Sequence, residues 1–222
     1  MRIAHSKPAK PPATPRDNAR ERIDRTAYEL FSRHGVRAVG VDRIIACSGV
    51  AKMTLFRHYP SKDSLVLSFL QRREELWLRT WLQGEVERRA GNARERLLAI
   101  FDVFDKWFRR GDFEGCSFIR LLLEFDDRAH PVRVAAVRHL EVIRDFLKRL
   151  AMDAGAIDAD GLSRQWQILM QGSIVAAVKG DRNAAQRARR LGALLLASAA
   201  RSTRGQAPAR PRGRRTATAS SA

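Results

Sequence analysis

The chain has 222 residues, 45% of them apolar, which is enough for one large domain or two modest ones with their own cores. Its formal net charge is +18, an excess of cations that indicates attraction to polyanions. Two cysteines argue against a disulfide framework, and no apolar stretch approaches the length of a membrane span. Because the N-terminus also lacks an apolar signal segment, we expect a cytoplasmic protein that does not enter the membrane.

Much of the charge lies at the two ends of the chain. Residues 1–16 and 201–222 hold ten of the eighteen net charges, contain no acidic side chain and are rich in Pro, Ala, Ser, Thr and Gly. Such segments bury too little surface to offset the entropy of ordering, so we expect disordered basic arms. Salt-dependent attraction to DNA phosphates and a merely solubilising role both remain open for them.

The first predicted helix begins at Pro15, with Thr14 as its N-cap, and ends at Gly35. Apolar side chains at 3.6-residue spacing then continue to about residue 200, and no strand alternation interrupts them. The pattern therefore predicts an all-α protein of about nine helices.

The segment from Val41 to Lys62, VDRIIACSGVAKMTLFRHYPSK, carries the most informative pattern. It predicts two helices of under two turns each, joined at Gly49-Val50, which describes a helix-turn-helix. Ile44 on the first short helix is expected to face Leu55 on the second, and the helix before them buries the rest of the apolar face. The other face of the second helix offers cations and hydroxyls, which predicts contact with phosphates and base edges.

Six more helices are predicted from capping residues and apolar stripes. They begin near Ser61, Asn92, Cys116, Pro131, Asp158 or Asp160, and Asn183. The last two are apolar over most of their circumference. Helices of that kind either pair with a second chain or lie in a core. We therefore predict a homodimer interface through the helices within residues 160–200, with burial in the chain's own core as the alternative.

From Arg20 to about Phe69 the chain resembles the TetR family of bacterial transcription regulators. The resemblance lies in YELFSRHG and in GVAKMTLFRHYPSKDSL, with an aromatic before Pro-Ser-Lys and an acid two residues before Leu. It implies a homodimer that binds a double-stranded DNA operator and responds to a small-molecule effector. The implied division begins with a basic arm over residues 1–16 and a three-helix, helix-turn-helix DNA-binding domain over 17–62. A larger C-terminal helical bundle for ligand binding and dimerisation follows over 63–200, and a basic tail over 201–222.

The resemblance also assigns DNA-contacting positions. The implied contacts are Asp42, Lys52, Met53, Thr54, Phe56, Arg57, His58 and Lys62. Three residues depart from the family pattern. Gly40 stands where a Thr commonly caps the first helix of the motif, Phe56 replaces a commoner Tyr, and Ile45 replaces a small Ala where the two helices cross.

No pattern in the sequence indicates an enzyme, a cofactor or a metal. The five histidines show no metal-type spacing with cysteines or carboxylates, and no Ser-His-Asp order, phosphate loop or carboxylate pair is present. Cys47 is expected to be small packing filler within the motif. Cys116 opens an apolar helix, where a pocket wall and an oxidant sensor are both possible roles.

Aromatic and soft side chains concentrate in the second half of the chain. The group consists of Phe101, Phe104, Trp107, Phe108, Cys116, Phe118, Phe125, Trp166 and Met170. A plain helical core is one interpretation of this group. The other is that part of it walls a cavity for an apolar or aromatic effector.

The leading hypothesis is a ligand-responsive repressor that binds a palindromic operator as a dimer and is released by a small apolar effector. Ligand binding would tilt the helix that begins at Ser61 and thereby spread the two recognition helices. The alternative is an architectural, nucleoid-associated protein whose arms bind DNA broadly without an effector. The third hypothesis is a helical enzyme whose helix-turn-helix is vestigial, but the sequence contains no catalytic constellation to support it.

Overall fold

The computed structural model describes residues 18–201, with side chains to residue 199, so both predicted basic arms lie outside the described residues. All regular structure in this range is helical. In chain order the helices are α1 (Ala19–His34), α2 (Val41–Ser48), α3 (Lys52–His58), α4 (Lys62–Arg73), a π-helical segment (Glu74–Gln83), α5 (Gly84–Arg89), α6 (Ala93–Phe108), α7 (Ser117–Glu124), α8 (Pro131–Asp153), α9 (Ala159–Val178) and α10 (Ala184–Arg201).

Helix α1 starts later than the sequence predicts. Its N-cap is Asn18, whose side chain accepts from the Glu21 amide at 2.9 Å while the Glu21 carboxylate accepts from the Asn18 amide at 3.2 Å. This reciprocal capping box satisfies two amides at once, whereas Thr14 and Pro15 offer only a single cap. The prediction of a start at Pro15 is therefore wrong, and the helix begins at Ala19. Its end at Gly35 is confirmed.

Helices α1, α2 and α3 pack together, and α1 also packs against α4, which completes the small N-terminal domain. Their common core contains Ile23, Phe31, Ile44 and Leu55, each at most 2% exposed. Short helices such as α2 and α3 are stable only through this shared burial, because isolated helices of under two turns do not persist in water.

A continuous helical rod joins the N-terminal domain to the rest of the chain. Ser61 caps it as predicted, through mutual side-chain contacts with Ser64 at 3.1 Å, and it runs to Arg89. Its middle ten residues, Glu74–Gln83, are π-helical, which no sequence pattern predicts. π-Helical turns are rare and often lie at functional sites. With the rod counted as one helix, residues 18–201 contain the nine predicted helices.

The C-terminal bundle is built from α6, α8, α9 and α10, with α7 packed on α8. Its predicted caps are confirmed at Asn92 and Asp158, and Pro131 occupies the first turn of α8. Gly192 lets α10 approach α9 closely, because a Cβ at Gly192 would stand 2.7 Å from the Trp166 ring. No helix within residues 18–201 is long and apolar enough to cross a bilayer.

Candidate nucleic-acid interface

The turn of the predicted motif depends on one glycine. Gly49 follows α2 with φ 67° and ψ 26°, and its amide donates to the Ile45 carbonyl at 3.0 Å. This left-handed conformation strains any residue that carries a Cβ. The chain then turns through Val50 and begins α3, where the Leu55 amide donates to the Ala51 carbonyl at 3.1 Å. Ile44 and Leu55 are both buried, as predicted, and their burial holds the two short helices against each other.

The face of α3 that points away from this core carries most of the predicted contacts. Lys52, Met53, Arg57 and His58 are exposed, and Met53 is 75% exposed. The side chains of Thr54 and Phe56 are partly buried, with Phe56 packed against the core. A short helix that buries one side and presents cations on the other suits insertion into a groove lined by phosphates.

The remaining predicted contacts lie on the flanking helices. Asp42 is exposed in the first turn of α2, where a carboxylate is favoured by the positive end of the helix. Lys62 is the first residue of α4 and is partly buried. Arg43, which the sequence did not single out, is exposed beside Asp42, and its guanidinium lies 3.1 Å from the His34 ring nitrogen Nε2. The site thus spans the starts of α2 and α4 and the outer face of α3.

The structure bears on each of the three departures from the family pattern. Gly40 is the N-cap of α2, and α2 has no side-chain cap, as the sequence predicted. Ile45 is accommodated as a partly buried side chain that packs against the core. Phe56 keeps the packing of an aromatic ring without a hydroxyl group.

A tyrosine that the sequence did not assign a role holds the motif in place. Tyr59 ends α3, is 4% exposed, donates its hydroxyl to the Asp24 carboxylate of α1 and lies 3.2 Å from the Ser68 hydroxyl of α4. Burial, followed by the bond to Asp24, raises the pKa of the Tyr59 phenol, so it stays protonated and able to donate. The sequence did offer a signal for the importance of Tyr59, because an aromatic residue before Pro60 is part of the family pattern.

The aromatic group proposed as a ligand wall is mostly packed core. Phe101, Phe104, Phe118, Trp166 and Met170 are each at most 3% exposed. The Phe101 ring packs against Phe104 and Trp166, with centroids 6.5 and 5.5 Å apart. Phe108 and Phe125 are partly buried, and Phe125 stacks near His130 rather than near the other rings. Trp107 differs from the other aromatic residues of the group, because it borders a cavity.

That cavity, of about 350 Å³, lies between α1 and the π segment, and the sequence gave no indication of it. Cys116 borders a second, smaller cavity of about 200 Å³ with Ile119, Ile174 and Val178. Burial raises the pKa of the Cys116 thiol, the opposite of what an oxidant sensor requires. Within residues 18–201, no three His, Cys, Asp or Glu side chains come together as a metal site.

Comparison with known proteins agrees with this geometry. The family profile described as "Bacterial regulatory proteins, tetR family" matches residues 23–69, and that of the "Tetracyclin repressor-like, C-terminal domain" matches residues 93–191. The first match covers α2, α3 and the turn between them. The second covers most of the C-terminal bundle, for which the sequence motifs gave no support.

Individual relatives span both domains. The chain is 20% identical over 158 residues to the transcriptional regulator YjdC of Escherichia coli, covering 70% of this chain and 81% of that protein. It is 31% identical over 140 residues to the transcriptional activator FasR of Mycolicibacterium smegmatis, covering 61% of each.

A solved structure extends the likeness over nearly the whole described chain. The TetR-family regulator SCO4454 of Streptomyces coelicolor is 26% identical, with a TM-score of 0.72, and the match covers 82% of this chain and 95% of that one. Proteins of this family are DNA-binding regulators and not enzymes, and they act as dimers. The motif, the fold and these matches together show that the chain is a member of the TetR family of transcription regulators.

Proposed function

We propose that the protein is a ligand-responsive repressor that binds a palindromic operator as a homodimer and leaves it when a small effector binds. The proposal extends the family assignment to a specific mode of action. It places the protein in the bacterial cytoplasm, where it joins the nucleoid when bound to DNA. The main observation in support of this proposal is the cationic outer face of α3. Lys52 and Arg57 are exposed there, while Leu55 on the opposite side of the helix is buried in the core.

Lys52 and Arg57 are the side chains proposed to discriminate between base sequences. An arginine can donate two hydrogen bonds to a guanine edge, and such a pair is worth about 1–3 kcal/mol of discrimination. Thr54, His58 and Lys62 are proposed to position the motif on the phosphates, whereas the Asp42 carboxylate is proposed to accept from a cytosine amino group. Met53 is proposed to contact a thymine methyl, since it is an exposed apolar side chain on the same face.

Exposed apolar side chains on α9 and α10 support the homodimer. Ile168, Val175 and Val178 of α9 and Leu191 and Leu194 of α10 are each at least 50% exposed. A patch of this kind on two neighbouring helices is typical of a protein interface. A second copy related by two-fold symmetry would cover it and carry a second α3. The two recognition helices then reach successive major grooves about 34–36 Å apart.

Activation is the second candidate for the output. FasR, 31% identical to the chain, is named a transcriptional activator. Binding to an operator is common to both outcomes, so only the position of the operator relative to the promoter separates them. A transcription assay on the selected operator distinguishes repression from activation, and we expect the protein to reduce the amount of transcript if it is a repressor.

The DNA-binding proposal is tested by selecting fragments from a random DNA pool and measuring affinity for the selected sequence and for bulk DNA. We expect an inverted repeat, and we expect Lys52→Ala with Arg57→Ala to lower the ratio of the two affinities at least tenfold. The matched control removes two exposed cations elsewhere, with Arg128→Ala and Arg138→Ala, and should keep the ratio. An unchanged ratio in the α3 variant would contradict the proposal.

The architectural alternative has no support among the relatives, and removal of residues 1–16 and 201–222 separates it from the repressor. A repressor keeps its sequence preference without these segments, because the preference comes from α3. A protein that binds DNA mainly through cationic arms loses most of its affinity and shows a shallower dependence on salt. Loss of all preference on trimming would favour the architectural role.

A further inference from the structure

The cavity of about 350 Å³ lies where the two domains meet. On one side it is lined by α1, through Tyr28, Glu29, Ser32 and Arg33. The other side consists of the π segment, the end of α6 and the loop before α7. Its volume is at the lower end of the range for small-molecule sites, which is enough for a compound of one or two rings. We call this cavity the interdomain cleft.

Aromatic rings form much of its wall. The rings of Trp77, Trp81 and Trp107 pack against one another, with centroid distances of 5.4 Å for Trp77–Trp107 and 5.8 Å for the other two pairs. Tyr28 contributes from α1. Neighbouring rings of this kind offer flat surfaces to a planar aromatic molecule, which gains both buried area and favourable ring contacts.

Two residues of the wall each carry a buried polar atom that has no partner. Trp77 is 8% exposed, yet its indole nitrogen Nε1 has no acceptor, and the Ser32 hydroxyl is also unpaired. A buried donor left without an acceptor costs about 1–3 kcal/mol, so such atoms call for an explanation. An acceptor on a bound molecule would satisfy the indole N–H, which can only donate.

Three arginines and three acids border the cleft, and the arginines differ in what they already bind. Arg110 is occupied by a bidentate contact with Asp112, at 2.8 and 2.7 Å. Arg73 donates to the Tyr28 hydroxyl at 3.0 Å and keeps other N–H groups available. Arg33 is exposed and makes no hydrogen bond or ion pair within residues 18–201, although its charge lowers the pKa of both Asp112 and Glu114.

Among the acids of the wall, Asp112 is already paired. Burial raises the pKa of Glu114, against the lowering effect of Arg120, Arg33 and Arg73, so this carboxyl accepts a proton more readily than an exposed one. Glu29 is exposed at the rim. Arg33 and Arg73 therefore keep N–H groups for an acceptor on a bound molecule, while Glu29 and Glu114 remain the competing carboxyl groups of the wall.

We propose that the interdomain cleft binds a planar aromatic carboxylate, with its ring against Trp77, Trp81 and Trp107 and its carboxylate at Arg33 and Arg73. The inference rests on the proposed function in one respect, since it identifies this compound as the effector. It moves the effector site from the packed core of the bundle to the junction of the domains. The indole N–H of Trp77 donates to the bound molecule.

A ligand in this position has a direct route to the DNA-binding surface. It contacts α1, which packs on α2, α3 and α4, and it contacts the π segment, which continues α4. It therefore stabilises one angle between the N-terminal domain and the bundle. Release from DNA follows when that angle differs from the one the operator requires.

The test is calorimetric titration of the full chain with three probes that share one ring system. The probes are 2-naphthoate, neutral 2-naphthamide and cationic 2-naphthylmethylamine. We expect 2-naphthoate to bind once per chain, at least tenfold more tightly than either of the others. Arg33→Gln and Trp77→Phe should each weaken it about tenfold, the first by removing a cation and the second by removing only the N–H donor.

The controls are Arg128→Gln, an exposed cation elsewhere, and Trp166→Phe, a buried indole that also lacks a partner but lies outside the cleft. Both should bind 2-naphthoate like the natural chain. Arg33→Gln changes a surface residue, so it keeps the test decisive if Trp77→Phe fails to fold. Tighter binding of the amine, or unchanged binding in both cleft variants, would overturn the proposal.

The same titration in the presence of the selected operator separates this proposal from the broader function. Weaker operator binding with 2-naphthoate supports both. Binding of 2-naphthoate with unchanged operator affinity leaves the site standing and overturns its role as the effector site. Sequence-specific operator binding with no response to any probe overturns the cleft proposal alone.

Discussion

Gly40 leaves the first helix of the DNA-binding motif without a side-chain cap. It has φ −79° and ψ 157°, an ordinary extended conformation that other residues adopt without strain. A Cβ built on Gly40 meets no atom within 4 Å. Neither backbone geometry nor space therefore requires glycine here, and the missing cap is a small loss of stability within a helix of eight residues.

We predict that Gly40→Ser stabilises the protein. The serine hydroxyl can accept from the free amides of the first turn, which is worth a few tenths of a kcal/mol relative to glycine and shifts the melting temperature upward by about 1 °C. Gly40→Ala is the matched control, because it adds a Cβ without an acceptor and should not stabilise. Thermal unfolding of both variants checks this, and a melting temperature for serine at or below that for alanine would contradict it.

At the scale of elements, Glu74 links the connecting rod to the bundle. It is the first residue of the π segment, accepts from Arg79 at 2.8 Å and contacts the ring nitrogen Nδ1 of His139 of α8. His139 in turn stacks on Phe118 of α7, with ring centroids 5.2 Å apart. Burial alone would raise the pKa of Glu74, but the bonds from Arg79 and His139 outweigh it and hold the pKa below its ordinary value of 4.5.

This shift predicts a pH dependence of stability with a definite sign. A carboxyl whose pKa is lower in the folded state stabilises the protein above the unfolded pKa and loses that contribution as pH falls through the folded pKa. Glu74→Gln should therefore be less stable than the natural chain near pH 7, and the difference should shrink below about pH 4.5.

Denaturant unfolding at a series of pH values measures this difference. Glu75→Gln is the matched control, since Glu75 is the exposed neighbour on the same segment and lies 3.6 Å from Arg79 at its closest. Its replacement should change stability little at any pH. A Glu74→Gln deficit that stays constant down to pH 3.5 would contradict the role assigned to this carboxylate.

Helix starts could be predicted wherever one residue both caps and precedes an apolar stripe, as at Ser61, Asn92 and Asp158. The start at Pro15 was wrong because the capping box of Asn18 with Glu21 competes with it, and pattern alone does not rank two caps. The π segment could not be predicted either, since its apolar residues fit a 3.6-residue period about as well as a wider turn.

For the candidate site as well, features of a single helix could be predicted, whereas features formed by tertiary packing could not. The outer face of α3 could be predicted because exposure within one short helix follows from its own spacing. The interdomain cleft could not, because Tyr28, Trp77 and Trp107 come from three elements that meet only through tertiary packing. Burial of Trp166 likewise depends on how closely α10 approaches at Gly192, which no local pattern records.

At the scale of the whole molecule, one copy of α3 cannot read a palindrome. Two copies must be held at a fixed separation, and that separation is set by the surface through which the chains pair. The exposed apolar patch on α9 and α10 is the surface proposed for this pairing. It includes Val175, 50% exposed, and Leu194, 67% exposed.

We predict that Val175→Glu with Leu194→Glu converts the dimer to a monomer without unfolding the chain. Both side chains are exposed in the single chain, so the change costs little there, whereas two buried, unpaired carboxylates per chain oppose pairing. The monomer should keep weak binding to a half-site and lose most of its affinity for the full operator, because the second half-site no longer binds within one complex. Sedimentation over a range of protein concentrations, together with operator titration, measures both effects.

Met152→Glu with Ile157→Glu is the control for this variant, since these side chains are 60% and 64% exposed but lie outside the patch on α9 and α10. The control should remain a dimer and bind the operator normally, because its added charges stay in water in both states. If the patch variant stays dimeric, pairing uses another surface. If it becomes a monomer yet binds the full operator as tightly as before, the fixed spacing of two recognition helices is not what gives this regulator its affinity.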